Sequence, residues 1–105
     1  DGNPHLVVPY TMVNNDAKFL SGDVFSGRDF EDFLIDSFDV LAQEAEEKPR
    51  MMSIGLHGRI IGHPGRLAGL VRFIDHVAKR PDVWVCKRDQ IADFWRANVP
   101  PKQDK

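Results

Sequence analysis

The sequence has one cysteine among its 105 residues and no long apolar run. A single cysteine excludes an internal disulfide and a cysteine-based zinc site. No apolar stretch approaches the roughly 18 residues that a membrane span needs. The first residues, Asp1 to His5, lack the basic start and apolar segment of a signal peptide. We therefore expect no membrane partner, and the cysteine content allows a reducing location, which we take to be the cytoplasm.

Strong charge of one sign is also lacking, because the net charge is only −2. Acidic residues outnumber basic ones 11 to 4 up to Met52, and basic residues outnumber acidic ones 10 to 5 from Ser53 onward. Solvent-exposed helix faces of opposite charge account for this asymmetry. The basic half has no interleaved aromatic residues and no known nucleic-acid module. We therefore expect no nucleic-acid partner.

Three short apolar runs predict buried strands, at residues 5–10, 50–56 and 83–86. Three longer stretches with apolar residues at helical spacing predict helices. The first has Ser26 as its N-cap and Asp29 as a weak capping box, and it should end near Glu47. The others should span 64–80 and 89–98.

Each helix has a predicted buried face. Gly65 and Gly69, four residues apart, provide a flat surface for close packing in the second helix. The segments 11–27 and 58–63 are predicted loops. The apolar faces are Phe30, Phe33, Leu34, Phe38, Leu41 and Ala45; then Leu67, Leu70, Val71, Ile74, Val77 and Ala78; and finally Ile91, Phe94 and Trp95.

Strands that alternate with helices predict an α/β fold in which three β/α units contribute parallel strands. A three-stranded parallel sheet has two open edges and two faces that must be covered. Three helices can cover the faces but not the edges. The pattern therefore favours a slice of a larger α/β barrel or of a doubly wound sheet.

Functional residues in parallel α/β proteins gather where strands end. This rule selects the region of Tyr10 with the Asn15–Asp16 loop, the region of His57, and the region of Cys86. His57 is the best single candidate, because imidazole suits general acid or base work near neutral pH, although a strand-end histidine can simply bond to the backbone. Asp16 could orient a base, bind a polar substrate, or only shape a turn.

The remaining candidates are weaker. Arg59 and Arg66 could hold an anionic or amide-rich substrate, or they could be solvated or pair with acidic neighbours. Cys86 lies in an apolar run, where free cysteines are usually inert. His57 and His63 are six residues apart across a loop and do not form a helical metal-binding pair. The chain therefore offers no metal site of its own, although His57 with Asp16 could be part of a site that is completed elsewhere.

Three motifs carry a resemblance to a known family. Residues 52–66 (MSIGLHGRIIGHPGR) resemble the C-terminal motif of the polysaccharide deacetylase superfamily, in the branch that holds allantoinase-type hydrolases and related peptidoglycan deacetylases. Residues 83–95 (VWVCKRDQIADFW) resemble the last strand and helix of that branch. Pro9-Tyr10-Thr11, with Asn15-Asp16 and Phe19, is similar to its opening segment.

The resemblance implies that residues 1–100 are the C-terminal part of a distorted (β/α) barrel, followed by a disordered tail at 101–105. Such a barrel needs about 250 residues, so the N-terminal half would be the partner. Members hydrolyse carbon–nitrogen bonds of N-acetyl sugars or cyclic amides. The resemblance makes His57 the general acid and places Tyr10, Asn15, Asp16 and Arg59 near the substrate. A base carboxylate and any divalent metal would lie outside this chain.

We therefore expect the chain to be part of a hydrolase of non-peptide carbon–nitrogen bonds and to be inactive alone. The alternative is a non-catalytic barrel remnant that binds a partner or pairs with a second copy through its open sheet edges.

Overall fold

The structure is a computed structural model that describes residues 5–99. Within that span, five helices follow one another along the chain: α1 (Lys18–Ser21), α2 (Gly27–Glu44), α3 (Gly58–Ile61), α4 (Pro64–Ala78) and α5 (Arg88–Asn98). Residues 10–83 form one compact unit, and the described residues on either side of it form a second. No helix in the described span is long and apolar enough to cross a membrane. The predicted tail at 101–105 lies outside the described residues.

The three predicted parallel strands are not confirmed. In the part of the chain that the structure describes, residues 5–10, 50–56 and 83–86 form no regular strand. The pairing that does form is a single parallel bridge between Asn15 and Gly55. A strand is stable only when a neighbouring strand satisfies its backbone groups, so a short apolar run without that neighbour does not form a ladder.

The three predicted helices form close to their expected bounds. Ser26 caps α2, and its hydroxyl accepts a hydrogen bond from the Asp29 N–H at 3.1 Å. The Asp29 side chain completes the capping box by accepting hydrogen bonds from the N–H groups of Ser26 and Phe25. These two bonds lower the pKa of Asp29. Short-range signals of this kind act within one helical turn, which is why the sequence locates them well.

Both predicted loops contain a single helical turn that the sequence did not indicate, α1 and α3. Each is only four residues long, which is too short for an apolar period to be visible. Gly22 ends α1 in the left-handed region, at φ 85°. In α3, the side chains of Ile60 and Ile61 are buried and anchor the turn.

Helices α2 and α4 pack closely through glycine. A β-carbon at Gly27 would collide with the carbonyl oxygen of Gly65, and one at Gly69 would collide with the carbonyl oxygen of Gly27. The predicted flat surface on α4 is therefore confirmed at Gly69, where the missing side chain lets two backbones meet, whereas a β-carbon at Gly65 would have no atom within 4 Å. The helix–helix contact fixes α4 against α2.

The core of the 10–83 unit lies between α2 and α4. The face of α2 is as predicted except at Ala45, which lies beyond the helix and is exposed, whereas the face of α4 is rotated. Phe73 is buried, although it was not expected to be, and Leu67, Val71 and Ile74 are exposed. The glycine contact causes the rotation, because it turns the Gly69 side of the helix inward. The core residues are Val24, Phe30, Leu34, Phe38, Ile61, Leu70 and Phe73.

In the second unit, α5 leaves its aromatic residues half exposed, which corrects the expectation that they are buried. Phe94 is 58% exposed and Trp95 is 50% exposed. Phe94 packs against Trp84 with their ring centroids 5.8 Å apart. Arg88, at the start of the helix, donates a hydrogen bond to the carbonyl oxygen of Val8.

Candidate functional site

The site begins with the bridge between two segments that are distant in sequence. The Gly55 N–H donates to the carbonyl oxygen of Asn14 at 2.8 Å, and the Asp16 N–H donates to the carbonyl oxygen of Gly55 at 3.0 Å. These two bonds hold residues 14–16 beside residues 55–57. The bridge therefore brings the predicted loop residue Asp16 next to the predicted strand-end residue His57.

Asp16 and His57 form a close carboxylate–imidazole pair. One carboxylate oxygen of Asp16 lies 2.7 Å from Nδ1 of His57, and the other accepts from the His57 N–H at 2.6 Å. The Asp16 side chain is fully buried, whereas the His57 side chain is 44% exposed. A carboxylate only accepts hydrogen bonds, so Nδ1 must carry the proton. The exposed ring is thus held in one orientation, and Nε2 is the nitrogen that Asp16 does not use.

The backbone on the other side of His57 is equally fixed. The carbonyl oxygen of His57 accepts from the N–H groups of Ile60 at 2.8 Å and Ile61 at 3.0 Å, which starts α3. Burial of these two isoleucines ties α3 to the protein interior. His57 is therefore held at its N–H, its ring and its carbonyl oxygen.

Asn15 organises the loop from inside. Its amide nitrogen donates to the Tyr10 hydroxyl at 3.2 Å and to the Thr11 carbonyl oxygen at 3.1 Å. Its amide oxygen accepts from the Ala17 N–H at 2.8 Å. Asn15 is only 1% exposed, so these bonds satisfy a buried amide rather than face solvent.

Gly55 is a site residue that sequence reasoning missed. A β-carbon there would lie 2.5 Å from the Tyr10 hydroxyl and would also collide with the Asn15 amide nitrogen. The missing side chain is therefore what lets Tyr10 and Asn15 approach the bridge. Its place in the motif next to His57 was visible, but its contacts depend on a segment 40 residues away, so sequence alone could not show them.

The predicted site residues thus divide by location. The structure brings Asp16 to His57 and Asn15 to Tyr10. Tyr10 is 55% exposed, and Arg59 is exposed on α3, two residues after His57. The third region expected from the sequence, at Cys86, belongs to the other compact unit and has a half-buried free thiol.

The described residues do not fit a metal centre. Among residues 5–99, no group of three or more His, Cys, Asp or Glu side chains is arranged to hold a metal ion. The described residues hold another carboxylate–imidazole pair, Asp39 with His76 at 2.9 Å, and its carboxylate is exposed, whereas that of Asp16 is buried.

Comparison with known proteins finds relatives of this chain over almost its whole length. A Schizosaccharomyces pombe protein that is named as a polysaccharide deacetylase is 44% identical over 99 residues, which cover 92% of this chain and 31% of that protein. A Pseudomonas aeruginosa structure, titled as a polysaccharide deacetylase, is 43% identical with a TM-score of 0.91, covering 94% of this chain and 33% of its own.

A second solved structure, the PuuE allantoinase, is 48% identical with a TM-score of 0.91, and the match covers 96% of this chain and 34% of that one. No protein-family model matches the chain. The chain thus spans about a third of the length of the relatives it matches.

Proposed function

Because the chain belongs to the polysaccharide deacetylase superfamily, we propose that it supplies the proton-donating histidine, His57, to a hydrolase of non-peptide carbon–nitrogen bonds. The observation that carries this proposal is the Asp16–His57 pair, with a buried carboxylate 2.7 Å from Nδ1 and a partly exposed ring. A histidine used only for packing would not need an oriented and solvent-accessible second nitrogen.

The proposed chemistry uses Nε2 of His57, because Asp16 is bonded to Nδ1. A group outside this chain takes a proton from water, and the water oxygen adds to the amide carbon and forms an anionic tetrahedral intermediate. When the His57 ring is doubly protonated, Asp16 holds the Nδ1 proton, so the Nε2 proton is the one that can move. That proton passes to the leaving nitrogen as the carbon–nitrogen bond breaks. The amine departs neutral, and the ring keeps its Nδ1 proton.

Asp16 is proposed as a positioning residue rather than as a substrate contact. Its side chain has no exposed surface, and both its oxygens are used by His57. The buried carboxylate favours one ring orientation, and in such pairs that orientation is a large part of the catalytic effect. Direct contact between Asp16 and substrate stays a prediction from the sequence.

Tyr10 and Arg59 are the proposed substrate contacts, because both are exposed within a few residues of the pair. A phenol and a guanidinium offer hydrogen bonds to carbonyl and hydroxyl oxygens. Asn15 is proposed to act through Tyr10, since its amide is used internally. The names of the relatives leave two substrate classes, N-acetylated sugars and small ureides.

The group that activates water is proposed to lie in another stretch of polypeptide. The chain spans about a third of the length of its relatives, and large apolar side chains near the site stay exposed, among them Met12 at 72% and Val13 at 58%. We propose that the N-terminal half of a (β/α) barrel covers them, and that this chain is its C-terminal part. Residues 1–105 alone should then hydrolyse neither allantoin nor N-acetylated sugars.

The test compares two histidine variants in the whole protein. His57→Gln should lower turnover by on the order of 10²–10⁴, because one general acid contributes that much. His76→Gln is the matched control, since His76 also pairs with a carboxylate but that carboxylate, Asp39, is exposed, and turnover should stay within about twofold.

A second substrate identifies the role of His57. A phenyl acetate ester has a good leaving group and needs little protonation, so His57→Gln should slow ester hydrolysis far less than amide hydrolysis. An equal loss with both substrates would show that His57 is not the acid. No loss with either would show that His57 takes no part in the reaction, and a whole protein without turnover would favour the non-catalytic interaction domain.

A further inference from the structure

Arg66, in the first turn of α4, contacts the two short helices, α1 and α3, that follow Asp16 and His57 in the chain. Its guanidinium donates to the carbonyl oxygen of Ile60, in α3, at 3.1 Å. The same group lies over the ring of Phe19, in α1, with its central carbon 4.6 Å from the ring centroid. One planar cation therefore joins α1 and α3, which the chain separates by about 40 residues.

Each of these partners is one hydrogen bond from the Asp16–His57 pair. The Phe19 N–H donates to the carbonyl oxygen of Asp16 at 3.0 Å. The Ile60 N–H donates to the carbonyl oxygen of His57 at 2.8 Å. Arg66 thus supports the backbone of both members of the pair without touching either side chain.

The position of Arg66 is itself fixed. Arg66 follows Gly65, whose carbonyl oxygen meets Gly27 at the close contact between α4 and α2. The Phe19 ring also packs against Phe30, which is fully buried, with centroids 5.1 Å apart. The arginine therefore connects the site to the rigid part of the core.

We propose that Arg66 is a positioning residue that holds the backbone of Asp16 in place beside that of His57. Its catalytic consequence rests on the proposed function, whereas its structural consequence does not. Arginine suits this task because its planar group can stack on a ring and donate a hydrogen bond at its edge together. A lysine has no planar group and can satisfy only one of these contacts well.

Amide hydrogen exchange in the whole protein tests the proposal. In Arg66→Met, exchange at the His57 and Asp16 amides should accelerate by about tenfold or more, while Phe73 in the core should change by less than about twofold. Arg66→Lys should give a smaller rise at the same two amides. Arg72→Met is the matched control, because Arg72 lies on the same helix but pairs with Glu31 instead.

Selective acceleration in the Arg66 variants and none in Arg72→Met would support the proposal. Equal acceleration throughout the core, or no change at His57, would overturn it. If Arg66→Met does not fold, Arg66→Lys and Phe19→Leu decide, because each weakens the stacking and should raise exchange at the same amides. Constant exchange there would count against the proposal.

Activity separates this proposal from the proposed function. Selective exchange in a protein that hydrolyses no amide would refute the function and leave the positioning role standing. Loss of turnover in His57→Gln without selective exchange in Arg66→Met would support the function and refute the positioning role. Where both hold, Arg66→Met should lower kcat more than it raises KM, because misalignment affects the reacting geometry more than ground-state binding.

Discussion

Replacing Asp16 by asparagine exchanges one buried oxygen for an NH₂ group and leaves the shape of the side chain almost unchanged. In the variant the amide oxygen can still accept from the His57 N–H, which in the parent protein lies 2.6 Å from the carboxylate. The other parent bond, 2.7 Å from the carboxylate to Nδ1, cannot keep Nδ1 as its donor, because the new NH₂ group donates as well. The ring must therefore move its proton to Nε2 or rotate away.

The size of the effect follows from the charge that is removed, because both bonds to His57 become neutral ones. A hydrogen bond to a charged group contributes about 1.5–3 kcal/mol and a neutral one about 0.5–1.5 kcal/mol, and no cavity forms, so Asp16→Asn should lower the free energy of unfolding by about 1–3 kcal/mol. Turnover in the whole protein should fall by up to about 10⁴, the order found when an orienting carboxylate becomes an amide. Asp39→Asn, at the exposed pair with His76, should change stability by less than about 1 kcal/mol.

Three measurements check this reasoning. Denaturant titration gives the stability change, ¹⁵N NMR shows which imidazole nitrogen of His57 carries the proton, and single-turnover hydrolysis gives the chemical step. The expected result is a proton on Nε2 together with the losses above. A ring that keeps its proton on Nδ1 with unchanged stability and turnover would refute the assignment of Asp16 as the residue that orients His57.

Further changes probe the packing around the site and the helix cap. Gly55→Ala should destabilise the protein by about 1–3 kcal/mol and move the Tyr10 ring, seen as a changed chemical shift, because the new methyl group collides with it. Gly69→Ala should destabilise at least as much in denaturant titration, since its obstacle is the backbone of Gly27, which cannot rotate away; unchanged stability would contradict the close helix contact. Hydrogen bonds lower the pKa of Asp29 from its ordinary value of 3.8, so its stabilising effect is complete above that value and is lost as the pH falls through the lowered pKa. The stability difference between the parent and Asp29→Ala should therefore be largest at neutral pH and shrink in acid, and a difference that grows on acidification would contradict it.

The strands were harder to predict than the helices for a physical reason. A helix satisfies its backbone internally, so Ser26 and Asp29 could be recognised as a cap from four consecutive residues of sequence. A strand depends on a neighbour that the apolar pattern does not identify. The runs at 50–56 and 83–86 have strand-like composition, yet the described residues provide only the bridge at Gly55.

The rotated face of α4 shows the same limit within a helix. The period of its apolar residues is correct, but Leu67, Val71 and Ile74 remain exposed while Phe73 is buried. The period alone shows that the apolar residues lie on one side of the helix. It does not show which side faces the core. The direction is decided by the backbone contact between Gly69 and Gly27, which needs both helices to be present.

The sequence by itself determined the three main helices, the resemblance to deacetylases and the choice of His57, because capping, helical period and a contiguous motif are all readable within a few neighbouring residues. Only the tertiary structure decided that Asp16 is buried against His57, that Asn15 supports Tyr10, and that Arg66 holds both segments. These contacts join residues that are far apart along the chain, and the packing of the intervening helices alone establishes which of them meet.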